Sequence, residues 1–244
     1  MNPKPSLLTD GEREMLAHTA LHRSQLEHQF ANLEQQHQAA STAMWVFLAT
    51  EVMFFGVLFA TLGLYHILYA EAFERASARL NWLVGGLNTL ILLVSSFLMA
   101  LAVRSTKLGQ NRQATKFLLG TAALGALFLV CKGYEYYTDY QENLIPGWRF
   151  DPTEWTDKEG LRPEQVPHVT LFLFFYWVTT PLHALHVTIG IGAVLLMALL
   201  ARRSLFTPHY YSPVEVLGLY WHFVDIVWIF LLPMLYLLGT HHLR

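Results

Sequence analysis

Residues 214–238 read VEVLGLYWHFVDIVWIFLLPMLYLL, an apolar and aromatic stretch that contains Glu215, His222 and Asp225. Four more apolar stretches precede it, near 44–65, 83–103, 117–136 and 169–201. Each is about 20 residues or longer, which is enough to cross a hydrocarbon core of about 30 Å as a helix. Because a backbone in lipid must satisfy its own polar groups, the sequence predicts an all-α integral membrane bundle of five transmembrane helices.

The composition agrees with a membrane protein. Hydrophobic residues make up 54% of the chain and charged residues only 14%, whereas an ordinary soluble domain has about 25% charged residues. The net charge is -2 and no basic block is present, so nucleic acid is not expected as a partner. The single cysteine, Cys131, can form neither an intrachain disulfide nor a cysteine metal site.

Lysine and arginine are unevenly distributed between the two predicted membrane sides. The short loops on the N-terminal side, at 104–116 and 202–203, are almost purely basic, whereas the long loop 138–168 on the other side is acidic. Positively charged loops remain in the cytoplasm. We therefore expect a cytoplasmic N-terminus, a periplasmic C-terminus and a location in a bacterial cell inner membrane.

Two polar segments accompany the membrane domain predicted for 44–244. Residues 1–43 form an N-terminal arm, in which Leu26, Phe30 and Leu33 fall on one helical face. We expect a cytoplasmic surface helix there, and a merely solvated arm is the alternative. The long loop 138–168 contains four prolines, which argue against regular helix. Its length indicates that it covers an external surface.

Two acidic residues within the apolar stretches need an explanation, because a charge at the bilayer centre costs several kcal/mol. Glu51 lies about 10 Å along the first stretch, at 1.5 Å per residue. It must be protonated, paired with another helix, or facing water or a lipid headgroup. Glu135 follows Lys132 by three residues, so the two share a helix face and can pair. The simplest interpretation of this pair is an anchor at the membrane interface.

Histidines mark the fourth and fifth stretches. His183 and His186 are three residues apart and share a face beyond Pro181, which is expected to disturb the helix. A hydrogen-bonded histidine pair is the simpler interpretation, since a metal or haem would need ligands from other helices. An aspartate near a histidine orients and charges it. We therefore expect Asp225 to pair with His222 and to brace helix packing.

Short motifs in the same order resemble a known family. They are EVMFF in the first stretch, GYEYY in the third, LHALHVTIG in the fourth and EVLGLYWHFVDIVW in the fifth. The chain resembles subunit III of the haem-copper cytochrome oxidases, in a five-helix bacterial form, over about 44–244. The fifth motif is the most specific of the four.

The resemblance implies an accessory subunit without a catalytic centre or metal site of its own. Haem and copper then belong to the partner subunits I and II, and this chain would stabilise subunit I, bind phospholipid and support proton uptake. Glu51 corresponds to the family's carbodiimide-reactive carboxylate near bound lipid. Leu200 stands where the family has a lipid-binding arginine, so Arg202 is the nearest candidate. The residues expected in an intramembrane polar network are Glu135, His183, His186, Glu215, Trp221, His222 and Asp225.

Several alternatives remain open at this stage. The chain could serve a quinol oxidase or a nitric oxide reductase instead of a cytochrome c oxidase. It could be a free-standing haem b protein that uses His183 or His186 with His222. A transporter with Glu51 on its path is disfavoured, because the sequence shows no internal repeat. Loop 138–168 could contact a further external respiratory partner.

Overall fold

The computed structural model describes residues 33–147, 150–157, 159–208 and 210–239. Within them, five helices are long and apolar enough to cross a membrane, which confirms the predicted all-α bundle. Most of the predicted N-terminal arm, residues 1–32, lies outside the described residues. The helices are α1 (Leu33–Leu68), α2 (Ala70–Ala78), α3 (Trp82–Lys107), α4 (Asn111–Gln141), α5 (Pro152–Asp157), α6 (Val166–Arg202) and α7 (Ser212–Tyr236), with a 3-10 turn at Pro163–Gln165.

Local sequence explains where some helices begin. The Asn81 side chain accepts hydrogen bonds from the backbone N–H groups of Leu83 and Val84, at 3.1 and 3.2 Å, and so caps α3. Proline stands in the first turn of α6 and of α7, where its missing N–H costs nothing. Pro181 lies inside α6 without ending it. The disturbance predicted at Pro181 therefore does not interrupt the helix.

The four helices α3, α4, α6 and α7 form the packed body of the bundle, and α1 lies at its edge, mainly against α7. Small residues allow α7 to approach closely. A Cβ atom at Gly125 or at Gly190 would lie only 2.9 Å from the ring of Trp221. Trp221 and Trp228 are 1% and 0% exposed, so both rings belong to the bundle core.

The side of the bundle on which α7 ends, called the C-terminal side here, is covered by polar chain. Trp155 in α5 is buried, and the Arg79 guanidinium lies 5.4 Å from the centre of its ring. Arg79 Nε is also 3.0 Å from Glu159 Oε1. Loop 138–168 thus folds over α2, as its length predicted. The expectation of no regular helix was wrong, because Pro152 is the first residue of α5, where a proline is tolerated.

Exposed aromatic side chains mark the two interfaces with the headgroups. Tyr134, Tyr137 and Tyr140 lie near the end of α4 and Trp82 begins α3, all on the C-terminal side. Trp45 is exposed near the other end of the bundle. Tyrosine and tryptophan are enriched at the headgroup level. Residues 134–140 of α4 therefore lie near the C-terminal-side interface.

Candidate functional sites

Glu51 and His186 form a contact between α1 and α6, called the edge pair below. Glu51 Oε2 lies 3.3 Å from His186 Nε2, and the side chains are 18% and 15% exposed. His186 Nδ1 lies 2.9 Å from the Leu182 carbonyl oxygen. A carbonyl only accepts, so Nδ1 carries a proton. The contact at Nε2 then requires one further proton, shared between the imidazole and the carboxyl group.

The sequence required Glu51 to be protonated, paired with another helix, or facing water or a lipid headgroup, and the edge pair provides the second of these. Glu51 is paired with another helix, and it also keeps part of its surface exposed. The Phe55 ring covers the imidazole of His186 edge-on, at 5.4 Å between ring centres. The pair therefore joins a peripheral helix to the body of the bundle and remains accessible from the membrane.

A second polar site, called the C-side cluster, comprises Lys132, Glu135, Asp139, Tyr176 and Tyr236. Its three charged residues lie on one face of α4 and are only 1 to 5% exposed. Lys132 Nζ is 3.1 Å from Glu135 Oε1 and 2.7 Å from the Tyr236 hydroxyl. The interpretation of Lys132 and Glu135 as an interfacial anchor was wrong, because both side chains point into the bundle instead of toward headgroups.

Two tyrosines complete the C-side cluster from other helices. The Tyr176 hydroxyl of α6 lies 3.0 Å from Glu135 Oε1 and 2.6 Å from Asp139 Oδ2. The Tyr236 hydroxyl of α7 donates a hydrogen bond to Glu135. The cluster therefore ties α4, α6 and α7 together at the C-terminal side.

Aromatic rings surround the ammonium group of Lys132. Its Nζ atom lies 4.8 Å from the ring centre of Tyr136, 5.1 Å from that of Tyr176, and 5.4 Å from those of Trp228 and Tyr236. Cation–π attraction is strongest where water is excluded. The rings therefore add cation–π attraction to the ion pair that Lys132 makes with Glu135.

The predicted pairing of His222 with Asp225 is not found. His222 Nδ1 is 2.6 Å from Ser96 Oγ on α3, and no hydrogen bond joins the Asp225 carboxyl group to the imidazole among the described residues. The serine of the neighbouring helix is the partner that bonds to His222. Trp221, which the sequence also assigned to the intramembrane polar network, donates a hydrogen bond to Ser95 Oγ at 2.8 Å.

His183 and His186 both face neighbouring helices, as the sequence predicted, but only His186 is hydrogen-bonded among the described residues. His183 is 1% exposed and packs edge-on against Phe128, at 5.6 Å between ring centres. Its ring also lies 5.2 Å from that of Trp228. Neither of its ring nitrogens has a hydrogen-bond partner in the described part of the chain.

Glu215 lies outside the intramembrane network to which the sequence assigned it. It belongs to a group on the N-terminal side, called the N-side clamp, which joins α1, α3 and α7. Glu215 Oε1 is 2.5 Å from Lys107 Nζ, and its other oxygen is 3.5 Å from His37 Nε2. His37 Nδ1 also bonds to Ser212 Oγ at 2.8 Å. Arg202 is exposed at the end of α6 and has no ion-pair partner among the described residues.

The histidine positions bear on the haem b hypothesis. His183 packs on α4 and α7, His186 faces α1, and His222 bonds to α3. Two histidines that bound one haem would face each other across it. Over the described residues, no group of three or more His, Cys, Asp or Glu side chains could hold a metal ion.

Asp139, Tyr176, Tyr236 and Ser96 are the partners that sequence reasoning missed. Asp139 follows Lys132 by seven residues and Glu135 by four, a spacing that returns to the same helix face. That spacing could have revealed it. No local signal identifies the two tyrosines or Ser96, because their partners come from other helices.

Comparisons with known proteins agree on one family. The sequence model described as cytochrome c oxidase subunit III matches residues 169–240. The chain is 34% identical to cytochrome c oxidase subunit 3 of Thermostichus vulcanus, over 79% of this chain and 84% of the relative. It is 27% identical to quinol oxidase subunit 3 of Bacillus subtilis, over 87% and 96%. It is also 31% identical to the haem-copper oxidase subunit I+III of Aeropyrum pernix, over 80% of this chain and 22% of that longer one.

Proposed function

Because the chain belongs to the subunit III family of the haem-copper oxidases and is an accessory subunit of such an oxidase, we propose that it supports proton uptake through the edge pair. The observation that carries this proposal is the contact of Glu51 with His186 at 3.3 Å, with both side chains partly exposed. A carboxyl group that shares a proton and stays accessible can exchange that proton with a neighbour.

The neighbour is subunit I, against which the exposed apolar surface of α1 would pack. Val52, Met53, Phe54 and Val57, which follow Glu51 in the sequence, expose 48 to 73% of their surface. In the Aeropyrum relative, subunits I and III are named together as one chain, which supports direct contact between them. Subunit II completes the proposed assembly, and haem and copper reside in the partner subunits.

Phospholipid is the second proposed partner. The N-terminal side carries exposed cations at Arg202 and Arg203, and arginine forms bidentate hydrogen bonds with phosphate oxygens. An acyl chain that extends from such a headgroup would pass the apolar surface beside Glu51. Lipid held in this way would exclude water from the edge pair and stabilise the contact with subunit I.

The proposed orientation places the N-terminal side in the cytoplasm of a bacterial cell and the C-terminal side in the periplasm. The basic loops 104–116 and 202–203 and the acidic loop 138–168 support it. Proton uptake from the cytoplasm would then reach Glu51, near the middle of α1. We also propose that loop 138–168 contacts a further periplasmic partner.

Carbodiimide labelling tests the role of Glu51. The reagent modifies a protonated carboxyl group in an apolar setting, so the purified complex should be labelled on this chain and Glu51→Gln should remove the label. Glu215→Gln is the matched control, because Glu215 belongs to the N-side clamp, and it should keep the label. Labelling that persists in Glu51→Gln would contradict the proposal.

Purification of the complex in mild detergent tests the partners. Subunits I and II should copurify with this chain, together with their haem and copper. Oxygen consumption with reduced cytochrome c and with a quinol then identifies the electron donor. A preparation of this chain alone that contained stoichiometric haem would support the haem b hypothesis instead.

A further inference from the structure

The C-side cluster has no role in the proposed function, since it lies on the opposite side of the bundle from proton uptake. We propose that the C-side cluster is a proton-binding site that holds its proton on Asp139. The inference rests on a count of the protons available for the observed hydrogen bonds and on a count of buried charges.

The Tyr176 hydroxyl lies within hydrogen-bond distance of two carboxyl groups, at 3.0 Å from Glu135 Oε1 and 2.6 Å from Asp139 Oδ2. A hydroxyl group has one proton and can donate to only one of them. The second contact therefore needs a proton from the carboxyl group, so either Glu135 or Asp139 is protonated.

Glu135 is the carboxyl group that stays ionised. Its Oε1 atom accepts from Lys132 and from Tyr236. Its Oε2 atom is buried without a hydrogen-bond partner among the described residues. A proton on that oxygen would therefore have no acceptor for a hydrogen bond. A buried donor without a partner is rarer than a buried acceptor without one. The proton therefore belongs to Asp139, which donates to Tyr176, which in turn donates to Glu135.

The number of buried charges agrees with one protonated carboxyl group. With both carboxyl groups ionised and Lys132 charged, the buried cluster would carry one excess negative charge. With one of them protonated, Lys132 and the remaining carboxylate neutralise each other and no net charge is buried. The neighbouring titratable groups do not change this count. The Tyr136 hydroxyl donates to Thr180 at 2.9 Å, Glu142 is exposed beyond the end of α4, and His183 is enclosed by Phe128 and Trp228.

Asp139 is the member of the cluster closest to the end of α4 at Gln141, and it is near the exposed Tyr137 and Tyr140 in the sequence. Exchange of its proton with the aqueous phase would therefore take place on the C-terminal side. The site is separate from the edge pair, so it would respond to the acidity of the opposite compartment.

Infrared spectroscopy of the assembled complex tests the site. A protonated carboxyl group has a C=O stretching band that shifts in D₂O. Asp139→Asn should remove one such band from the wild-type spectrum, whereas the exposed control Glu142→Gln should remove none. If Asp139→Asn retains every carboxylic acid band, or if Glu135→Gln removes the band instead, the assignment is overturned.

Assembly provides a second measurement. An amide can replace a neutral acid, so Asp139→Asn should assemble at the wild-type level. Glu135→Gln leaves the Lys132 charge unpaired and should lower the amount of assembled complex, and the double variant with Lys132→Met should restore it. Loss of assembly in Asp139→Asn with normal assembly in Glu135→Gln would refute the proposal.

Discussion

The C-side cluster and the edge pair each place a glutamate beside a basic side chain, but in different surroundings. Glu135 is 5% exposed and is held by Lys132 and two tyrosine hydroxyls. Glu51 keeps more of its surface exposed, and its ion-pair partner among the described residues is His186. The first glutamate is fixed within a network of three helices, whereas the second joins one peripheral helix to the bundle.

This difference indicates which carboxyl group serves stability and which is available for exchange. Removing one partner of a buried ion pair leaves an uncompensated charge, which costs far more than the loss of a partly exposed pair. Substitutions that leave a charge or a hydrogen-bonding group of the C-side cluster without its partner should therefore lower stability, and substitutions in the edge pair should change proton chemistry with little loss of stability. Four predictions test this contrast, all measured as thermal stability of the purified complex.

Lys132→Met should have the largest effect. It strands the buried carboxylate of Glu135, and breaking a buried pair in this way costs about 3–5 kcal/mol. The control Lys116→Met removes an exposed cation from the same helix and should stay near the wild-type value. A Lys132→Met complex as stable as the wild type would remove the distinction between the two sites.

Tyr176→Phe should cause the second-largest loss of thermal stability. The substitution keeps the ring beside Lys132 but removes the hydroxyl that joins Glu135 to Asp139, at a cost of about 1–3 kcal/mol for the buried groups left unpaired. Tyr137→Phe is the control, because it removes the hydroxyl of a tyrosine on α4 that is 62% exposed. Equal loss in both variants would show that the hydroxyl network does not stabilise the bundle.

Ser96→Ala should cost about 1 kcal/mol, because it removes the hydrogen-bond partner of the half-buried His222. Asp225→Asn should cost less, since Asp225 makes no hydrogen bond to His222. The reverse order would restore the pairing of His222 with Asp225 that the sequence suggested.

Glu51→Gln should have the smallest effect on stability, at most about 1 kcal/mol, because partly exposed ion pairs contribute little. Its effect should appear as slower proton uptake during turnover, measured with a pH-sensitive dye. A stability loss as large as that of Lys132→Met would place Glu51 among the structural residues.

The number and position of the membrane helices were predictable, because helix length and apolar composition in lipid follow from the sequence alone. Glu51 and Glu135 were also predictable as residues that need partners, since an unpaired charge in the bilayer is costly. The identity of those partners was less accessible. His186 and Tyr176 belong to a distant part of the chain, and only helix packing brings them to α1 and α4.

The errors have a related origin. Asp225 lies one turn from His222, and local spacing suggested a pair, whereas the Ser96 hydroxyl of a neighbouring helix bonds to the imidazole. The resemblance placed Glu215 in the intramembrane polar network with His222 and Asp225, but Lys107 and His37 hold it at the bundle end. In both cases the partner comes from another helix.

The length of α1 explains what the N-side clamp holds in place. The helix has 36 residues, about 54 Å at 1.5 Å per residue, which exceeds a hydrocarbon core of about 30 Å. Part of α1 therefore extends beyond the acyl chains. At its N-terminal end, His37 contacts Ser212 and Glu215, and these contacts hold the first turns against α7. The start of α1 is consequently held beside the start of α7. A spin label at the start of α1 would report the tilt of the whole subunit.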